Sequence, residues 1–301
     1  MARVGYLTWK DAGPYYEATN QGLIAGLREE GYVEGRNLVI ERRSADHDPE
    51  RFKAHARELA ALKVDVFFAP ATPMANAAWR ADRNTPIVVA TILDPVELEF
   101  VKSLARPGTR VTGVTTMNNE LTAKRLQLLM ETVPGVKTVG VVVDDAMRDA
   151  CAQEVDTMNA AAKKLGLKLV YVHVDRLESV DAAFRKLVAA GAQAVTTTLM
   201  STRNGLEKDY ADAALKYHLP SMHEMDYGAS LGGLISYGPD IGEVFRRAGR
   251  YVGRILKGAR PAEMPMEEPR EFRLIVNLKT ARALGITVPQ SVLLRADDVI
   301  R

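Results

Sequence analysis

Thr72-Pro73 and Asp94-Pro95 close two successive β-rich runs, Asp65 to Ala71 and Pro86 to Ile92, and offer the two halves of a receptor for a zwitterion. With Thr72 as the N-cap and Pro73 in the first turn, the next segment begins a helix whose leading N–H groups have no intrahelical acceptors. Those groups and the positive end of the helix dipole favour a carboxylate or phosphate. Asp94, preceded by Leu93, supplies the opposite charge, a carboxylate able to pair with an ammonium. An amino acid carries both groups. The same residues also have a local reading, in which Thr72 and Asp94 cap the helices behind them and bind nothing.

Other runs end in residues of comparable interest. Thr8-Trp9-Lys10-Asp11 follows the first aliphatic run, and an aromatic there either stacks on a flat or cationic ligand or packs on the surface of its own domain. Asp144-Asp145, Leu199-Met200-Ser201 and His223-Glu224 end three later runs, and Tyr237 lies at the end of a fourth. His223-Glu224 can hydrogen-bond a ligand or sit in a solvated loop. The five histidines show no metal-ligand spacing, and G-x-S-x-G, P-loop and G-x-G-x-x-G patterns are absent, so neither a metal nor a cofactor is expected. Cys151 is the single cysteine, a buried inert thiol on this reading.

These residues are positioned by a pattern written twice. Gly5 and Gly31 are matched by Gly140 and Gly166, 26 residues apart in both cases, each pair spanning an aliphatic run, a helical stretch and a second aliphatic run. The first half predicts strands at 4–8, 37–43, 64–69 and 86–92 and helices at 15–30, 49–62 and 73–82, with a short helix from Pro95 to Leu104. Val111 to Thr116 then reads as a strand carrying the chain across to a second lobe. The second half predicts strands at 138–143, 167–174, 193–199 and 220–223 and helices at 149–165, 179–190 and 204–217. A strand from Leu231 to Ser236 ending in Tyr237-Gly238-Pro239, a helix at 241–257 and a strand at 272–276 complete it.

Alternating strands and helices imply α/β architecture: two doubly wound, parallel-sheet, Rossmann-like lobes joined by a hinge. Lobe 1 is expected over 1–112 plus 238–268, and lobe 2 over 113–237 plus 269–301. Right-handed crossovers bring every strand's carboxyl end to one edge of its sheet, where such folds bind ligands.

With 40 basic and 38 acidic residues, a formal charge of +2 and no long Lys/Arg cluster, the chain has no electrostatic case for nucleic acid. No apolar run approaches the roughly 20 residues that span a bilayer. No signal-like charged start, apolar stretch and cleavage site precedes Val4, so the expectation is either a cytosolic protein or a mature chain whose export signal has been removed.

Several long phrases resemble one family: GLREEGYVEGRNLVIE (22–41), ELAALKVDVFFA (58–69), LDPVELEFVKSLARPGTRVTGVT (93–115), KRLQLLMETVPGVKTVGVV (124–142), ISYGPD (235–240) and the segment 255–300. They are similar to the ABC-transporter substrate-binding proteins of the tryptophan and aromatic amino-acid type, which have a type I periplasmic-binding-protein fold. The resemblance implies a ligand held in a cleft between two lobes by hinge closure. It also implies delivery to an ABC permease with its ATPase, and a monomeric, periplasmic protein whose export signal has been removed. Thr72-Pro73 then corresponds to the loop that holds the ligand carboxylate, and Asp94 to the acid of the Asp-Pro motif. Asp144-Asp145 and His223-Glu224-Met225 depart from the family pattern on the ligand side.

A binding protein for a small carboxylated ligand, an amino acid or aromatic relative, is the expected function, with Thr8, Trp9, Ala71, Thr72, Pro73, Leu93, Asp94, Asp144, Met200, His223, Glu224 and Tyr237 on the ligand. The competing reading is a glycosyltransferase- or epimerase-like enzyme using Asp144-Asp145 and His223-Glu224 in the same cleft.

Overall fold

The computed structural model describes residues 1–301 apart from 47, 49, 93, 94, 116, 117, 146, 147, 176 and 199–205. The chain divides into two compact units, Met1–Met117 with Asp240–Arg270, and Asn118–Pro239 with Glu271–Arg301.

Unit 1 contains β1 (Ala2–Thr8), α1 (Pro14–Glu29), β2 (Leu38–Ser44), α2 (Arg51–Ala61), β3 (Val66–Phe68), α3 (Thr72–Ala81), β4 (Ile87–Ile92) and β5 (Val111–Thr115). The strands form one parallel sheet in the order β2-β1-β3-β4-β5. Val111–Thr115 is thus the edge strand of this sheet, after which the chain enters unit 2. The expected helix from Pro95 to Leu104 is not formed. The described residues there make successive turns, and Glu99 at φ 58° breaks any right-handed helical run while Phe100 and Val101 are buried.

Unit 2 contains α4 (Asn118–Thr132), β6 (Thr138–Asp144), α5 (Arg148–Leu165), β7 (Lys168–Val174), α6 (Leu177–Ala189), β8 (Ala194–Thr197), α7 (Glu207–Lys216), β9 (Ser221–His223) and β10 (Ile235–Pro239). The chain then returns to unit 1 as α8 (Ile241–Leu256). Unit 2 is completed by β11 (Phe272–Asn277), α9 (Leu278–Ala283), α10 (Gln290–Leu293) and β12 (Asp298–Ile300). Its sheet runs β12-β11-β10-β9-β8-β6-β7, parallel except where β10 meets β11. That antiparallel pairing extends from Ile235 opposite Val276 to Pro239 opposite Phe272. Tyr237-Gly238-Pro239, expected at the end of the strand, forms its last three residues, while Asp226–Ala229 forms a 3-10 turn.

The duplicated glycines have matching physical reasons. A Cβ on Gly5 would stand 3.2 Å from Leu59 of α2, and one on Gly140 would stand 2.7 Å from Leu187 of α6, so a helix presses on each strand where its side chain is missing. Gly31 and Gly166 take φ of 83° and 68° just after α1 and α5. Around them Tyr32 N–H reaches the Leu27 carbonyl and Leu167 N–H the Ala162 carbonyl, the bond that closes a helix through a left-handed residue.

On one face of the unit 1 sheet, α1 and α8 touch backbone to backbone. A Cβ on Gly22 would meet the Gly242 carbonyl oxygen at 2.3 Å, one on Gly26 the Arg246 carbonyl at 1.9 Å, and one on Gly249 the Leu23 carbonyl at 2.4 Å. Leu23, Leu27, Phe245 and Val252 are buried here, each contributing about 1.5–3 kcal/mol by leaving water. Around this seam Arg246 bonds both Glu243 and Glu29, and Arg247 bonds Glu243. Burial raises the pKa of Glu243, but these two arginines outweigh it and leave the carboxyl below its ordinary value. Phe52, Ala56, Leu59, Met74 and Ala78 of α2 and α3 are buried as well. Among the described residues, no helix is long and apolar enough to cross a membrane, and no group of three or more His, Cys, Asp or Glu could hold a metal ion.

Candidate functional site

Each sheet brings its strand ends, and most of the residues singled out above, to one edge. In unit 1, β3 leads through Pro70 into α3. The N-cap is Ala71, extended at φ −124° and ψ 162°, rather than Thr72, and no side chain caps the helix. Thr72 occupies the first helical position and Pro73 the second, because Pro73 fixes a helical φ and needs no acceptor. The Ala75 N–H closes the first turn on the Ala71 carbonyl at 2.9 Å. The N–H groups of Thr72 and Met74 precede the helical ladder, and Pro73 between them has none, so they point outward from a helix end bearing partial positive charge. A groove of about 310 Å³ runs between α2 and α3, lined by Phe52, Lys53, Arg57, Pro73, Ala77 and Arg80 among others.

Thr8 donates its hydroxyl to the Lys10 carbonyl at 2.8 Å, closing the turn after β1. The indole of Trp9 is only 5% exposed and meets the Phe52 ring edge-on at 4.9 Å, so it packs under α2 instead of standing open for stacking. Its Nε1–H is sealed from water without an acceptor. Lys10 and Asp11 are exposed. Tyr6, two residues before Thr8, was not anticipated; it is buried, its ring packs on Phe68 at 5.0 Å, and burial, with Tyr15 adding to it, pushes its phenol well above the ordinary range. Leu93 and Asp94 lie outside the described residues.

In unit 2 the strand ends are richer in charge. Asp144 ends β6 and is buried, as is Glu224 just beyond β9. Asp145 is exposed and pairs with His173 at 3.0 Å. Arg125, on α4, is 3% exposed and donates from Nε to the Tyr237 carbonyl at 2.8 Å and from Nη2 to the Glu224 carbonyl at 3.0 Å. Burial lowers its pKa, with Glu224 and Glu154 opposing the fall. The Glu224 backbone is also approached by β10, where a Cβ on Gly238 would sit 2.0 Å from its carbonyl oxygen. Tyr237 packs its ring on Phe272 at 6.3 Å, and Met200 lies outside the described residues.

His223 is neither in a solvated loop nor offered to a ligand. Its Nε2 meets the Ser221 hydroxyl at 3.0 Å, and that hydroxyl accepts from the Leu234 N–H at 3.1 Å, leaving its own proton for the imidazole. Gly228 and Gly233 wall the ring so closely that a Cβ on Gly228 would fall 2.7 Å from it and one on Gly233 2.3 Å. Burial pushes its pKa down to about 4, so the ring is a neutral core group. Cys151 is buried with Sγ 3.4 Å from the Thr198 hydroxyl; burial drives the thiol up to about 12 against that bond, with Glu154, Glu224 and Asp144 adding to the rise. Arg125 and Glu154 were invisible in the sequence because each interrupts the apolar face of an otherwise amphipathic helix and has no motif around it.

A model of the family described as ABC transporter substrate binding protein matches residues 12–300, nearly the whole chain. The chain belongs to that family. It is an ABC transporter substrate-binding protein with the two-lobed α/β fold of the type I periplasmic binding proteins. A protein named tyrosine-binding protein from Clostridioides difficile (strain R20291) is 27% identical over 276 residues, covering 91% of this chain and 78% of that one. A conserved domain protein from Vibrio cholerae has a crystal structure similar at a TM-score of 0.91, with 29% identity over 99% of both chains. An ABC domain from Streptococcus pneumoniae, solved in complex with L-Trp, is similar at 0.90, with 27% identity over 99% of both chains. The family is one of substrate-binding proteins, and the relatives named for tyrosine binding and solved with L-Trp agree with it, so the enzyme reading is not favoured.

Proposed function

We propose that this substrate-binding protein captures a small carboxylated ligand, an amino acid or an aromatic relative, and releases it unaltered to a membrane permease driven by a cytoplasmic ATPase. The observation that carries the ligand class is the start of α3: an uncapped helix end at a strand's carboxyl edge, with the N–H groups of Thr72 and Met74 unused by the helix. It suits a carboxylate, and the relatives named for tyrosine and solved with L-Trp supply the aromatic amino-acid chemistry. Thr8, Ala71, Thr72, Pro73, Asp144, Glu224 and Tyr237 are the described residues assigned to the ligand or its immediate support, and Leu93, Asp94 and Met200 join them on sequence grounds. Trp9 and His223 are assigned to packing.

In this reading the protein is a monomer working in the periplasm without a cofactor. Ligand binding shifts an equilibrium between open and closed arrangements through its higher affinity for the closed one; about 5.5 kcal/mol of difference takes a population from 1:99 to 99:1. A thermal-shift screen over the amino acids and aromatic carboxylates tests the class, followed by mass spectrometry of the compound released on denaturation. At least one member is expected to raise Tm by several degrees and to be recovered chemically unchanged. A screen in which none does, or a recovered compound that has been converted, overturns the reading.

A further inference from the structure

Among the described residues, all the buried carboxylates lie in unit 2: Asp144, Glu154, Glu207, Glu224 and Asp226, with Arg125 the one buried guanidinium. Among the described residues of unit 1, no charged side chain is buried. Two hydroxyls in unit 2, Thr197 Oγ1 and Tyr210 Oη, are enclosed with no hydrogen-bond partner, on residues 3% and 1% exposed. A buried hydroxyl without a partner costs about 1–3 kcal/mol, and such orphans mark places where a missing molecule supplies the bond.

The sheet brings these groups together. Val142 of β6 stands opposite Thr197 of β8, and Asp144 stands opposite Val174 of β7. Val142, Val174, Val195 and Tyr210 belong to one packed core, and strand residues two apart share a face. Asp144 and Thr197 therefore emerge on the Tyr210 side of the sheet, both at its carboxyl edge. Burial raises the phenol pKa of Tyr210 first, and Asp144 and Glu207 raise it further, which places its hydroxyl within the field of both carboxylates.

We propose that Asp144, Thr197 and Tyr210 form the receptor for a cationic nitrogen of the ligand, a primary ammonium, with the carboxylate on Asp144 carrying the charge and the two hydroxyl oxygens accepting N–H bonds. The neighbouring acid Glu207 deepens the negative potential that selects the cation. The inference rests on the proposed amino-acid class and deepens it, giving the ammonium to unit 2 instead of to Asp94.

Calorimetric titration of the full chain at pH 7 with L-tryptophan, indole-3-propionate and tryptamine, and with the matching tyrosine set, tests it. The amino acid should bind about 100-fold more tightly than its deaminated carboxylate. Asp144→Asn should remove that advantage and leave the deaminated carboxylate within about twofold. Tyr210→Phe, which keeps the ring and its packing, should weaken the amino acid about fivefold without affecting the carboxylate. Equal binding of the amino acid and its deaminated analogue overturns the inference while the carboxylated-ligand reading stands. A selective loss in Asp94→Ala and none in Asp144→Asn does the same. Binding of the carboxyl-free amine alone, lost in Asp144→Asn, upholds the receptor and overturns the ligand class. Absence of binding by every member of both sets, together with a thermal-shift screen in which no amino acid or aromatic carboxylate binds, overturns both.

Discussion

His223 sets a pH limit on the fold that is independent of any ligand. Its ordinary pKa of 6.5 falls to about 4 because the ring is buried between two glycines and touches no charge that would favour its cationic form. The unfolded chain therefore takes up the proton first. The stabilisation is complete above pH 6.5 and is lost as pH falls from 6.5 toward 4, by about 3 kcal/mol in all. Urea unfolding of the protein and of His223→Asn between pH 7 and pH 4 should show this extra loss in the former alone; parallel pH profiles would refute it. The sequence located this histidine at a strand end but not its burial, because Gly228 and Gly233 wall the ring through the return of the chain, while only Ser221, two residues earlier on the same strand, is a local neighbour. The same limit applied to Thr72: a Thr-Pro pair marks a helix start, yet only backbone angles decide that Ala71 is the cap and Thr72 the first helical residue.

At the level of elements, the α1–α8 seam is the tightest feature of unit 1. A methyl on Gly26 would be driven into the Arg246 carbonyl, which belongs to rigid helix and cannot move aside. Gly26→Ala should cost about 3 kcal/mol, an overpacking penalty, read as a lowered denaturation midpoint with unchanged slope; a loss below about 1 kcal/mol would mean that the helices separate easily. The periodicity of these helices was legible, as were the parallel strands, since a period of 3.6 or a run of β-branched residues records which face is buried. Gly22 and Gly26 were legible as glycines but not as a contact, because their partner lies more than two hundred residues further on. Two elements were misread for related reasons. The Pro95–Leu104 stretch contains enough apolar residues for a helix, yet Glu99 adopts a left-handed turn. The strand near Tyr237 begins later than its apolar run because β11 fixes the register.

For the molecule as a whole, ligand binding should appear as stability. A compound present at about 100 times its Kd adds about 2.7 kcal/mol to the folded state, and differential scanning calorimetry should record a Tm rise that grows with the logarithm of ligand concentration; a flat response would remove that compound from consideration. The duplicated pattern, the two sheets and the alignment of strand ends were all readable from the chain, because each repeats a local rule many times over. The buried charges of unit 2 were not, since a carboxylate in a core is an exception to those rules. One further consequence follows from the division of the sequence between units, each built from two separated stretches. During synthesis, the glycine-lined side of α1 has no cover until residue 256 has been made, and β10 has no outer neighbour until residue 277. Neither half can close early, so a nascent or nicked chain lacking its last sixty residues remains open to proteases, and completion of the final segment commits both halves together.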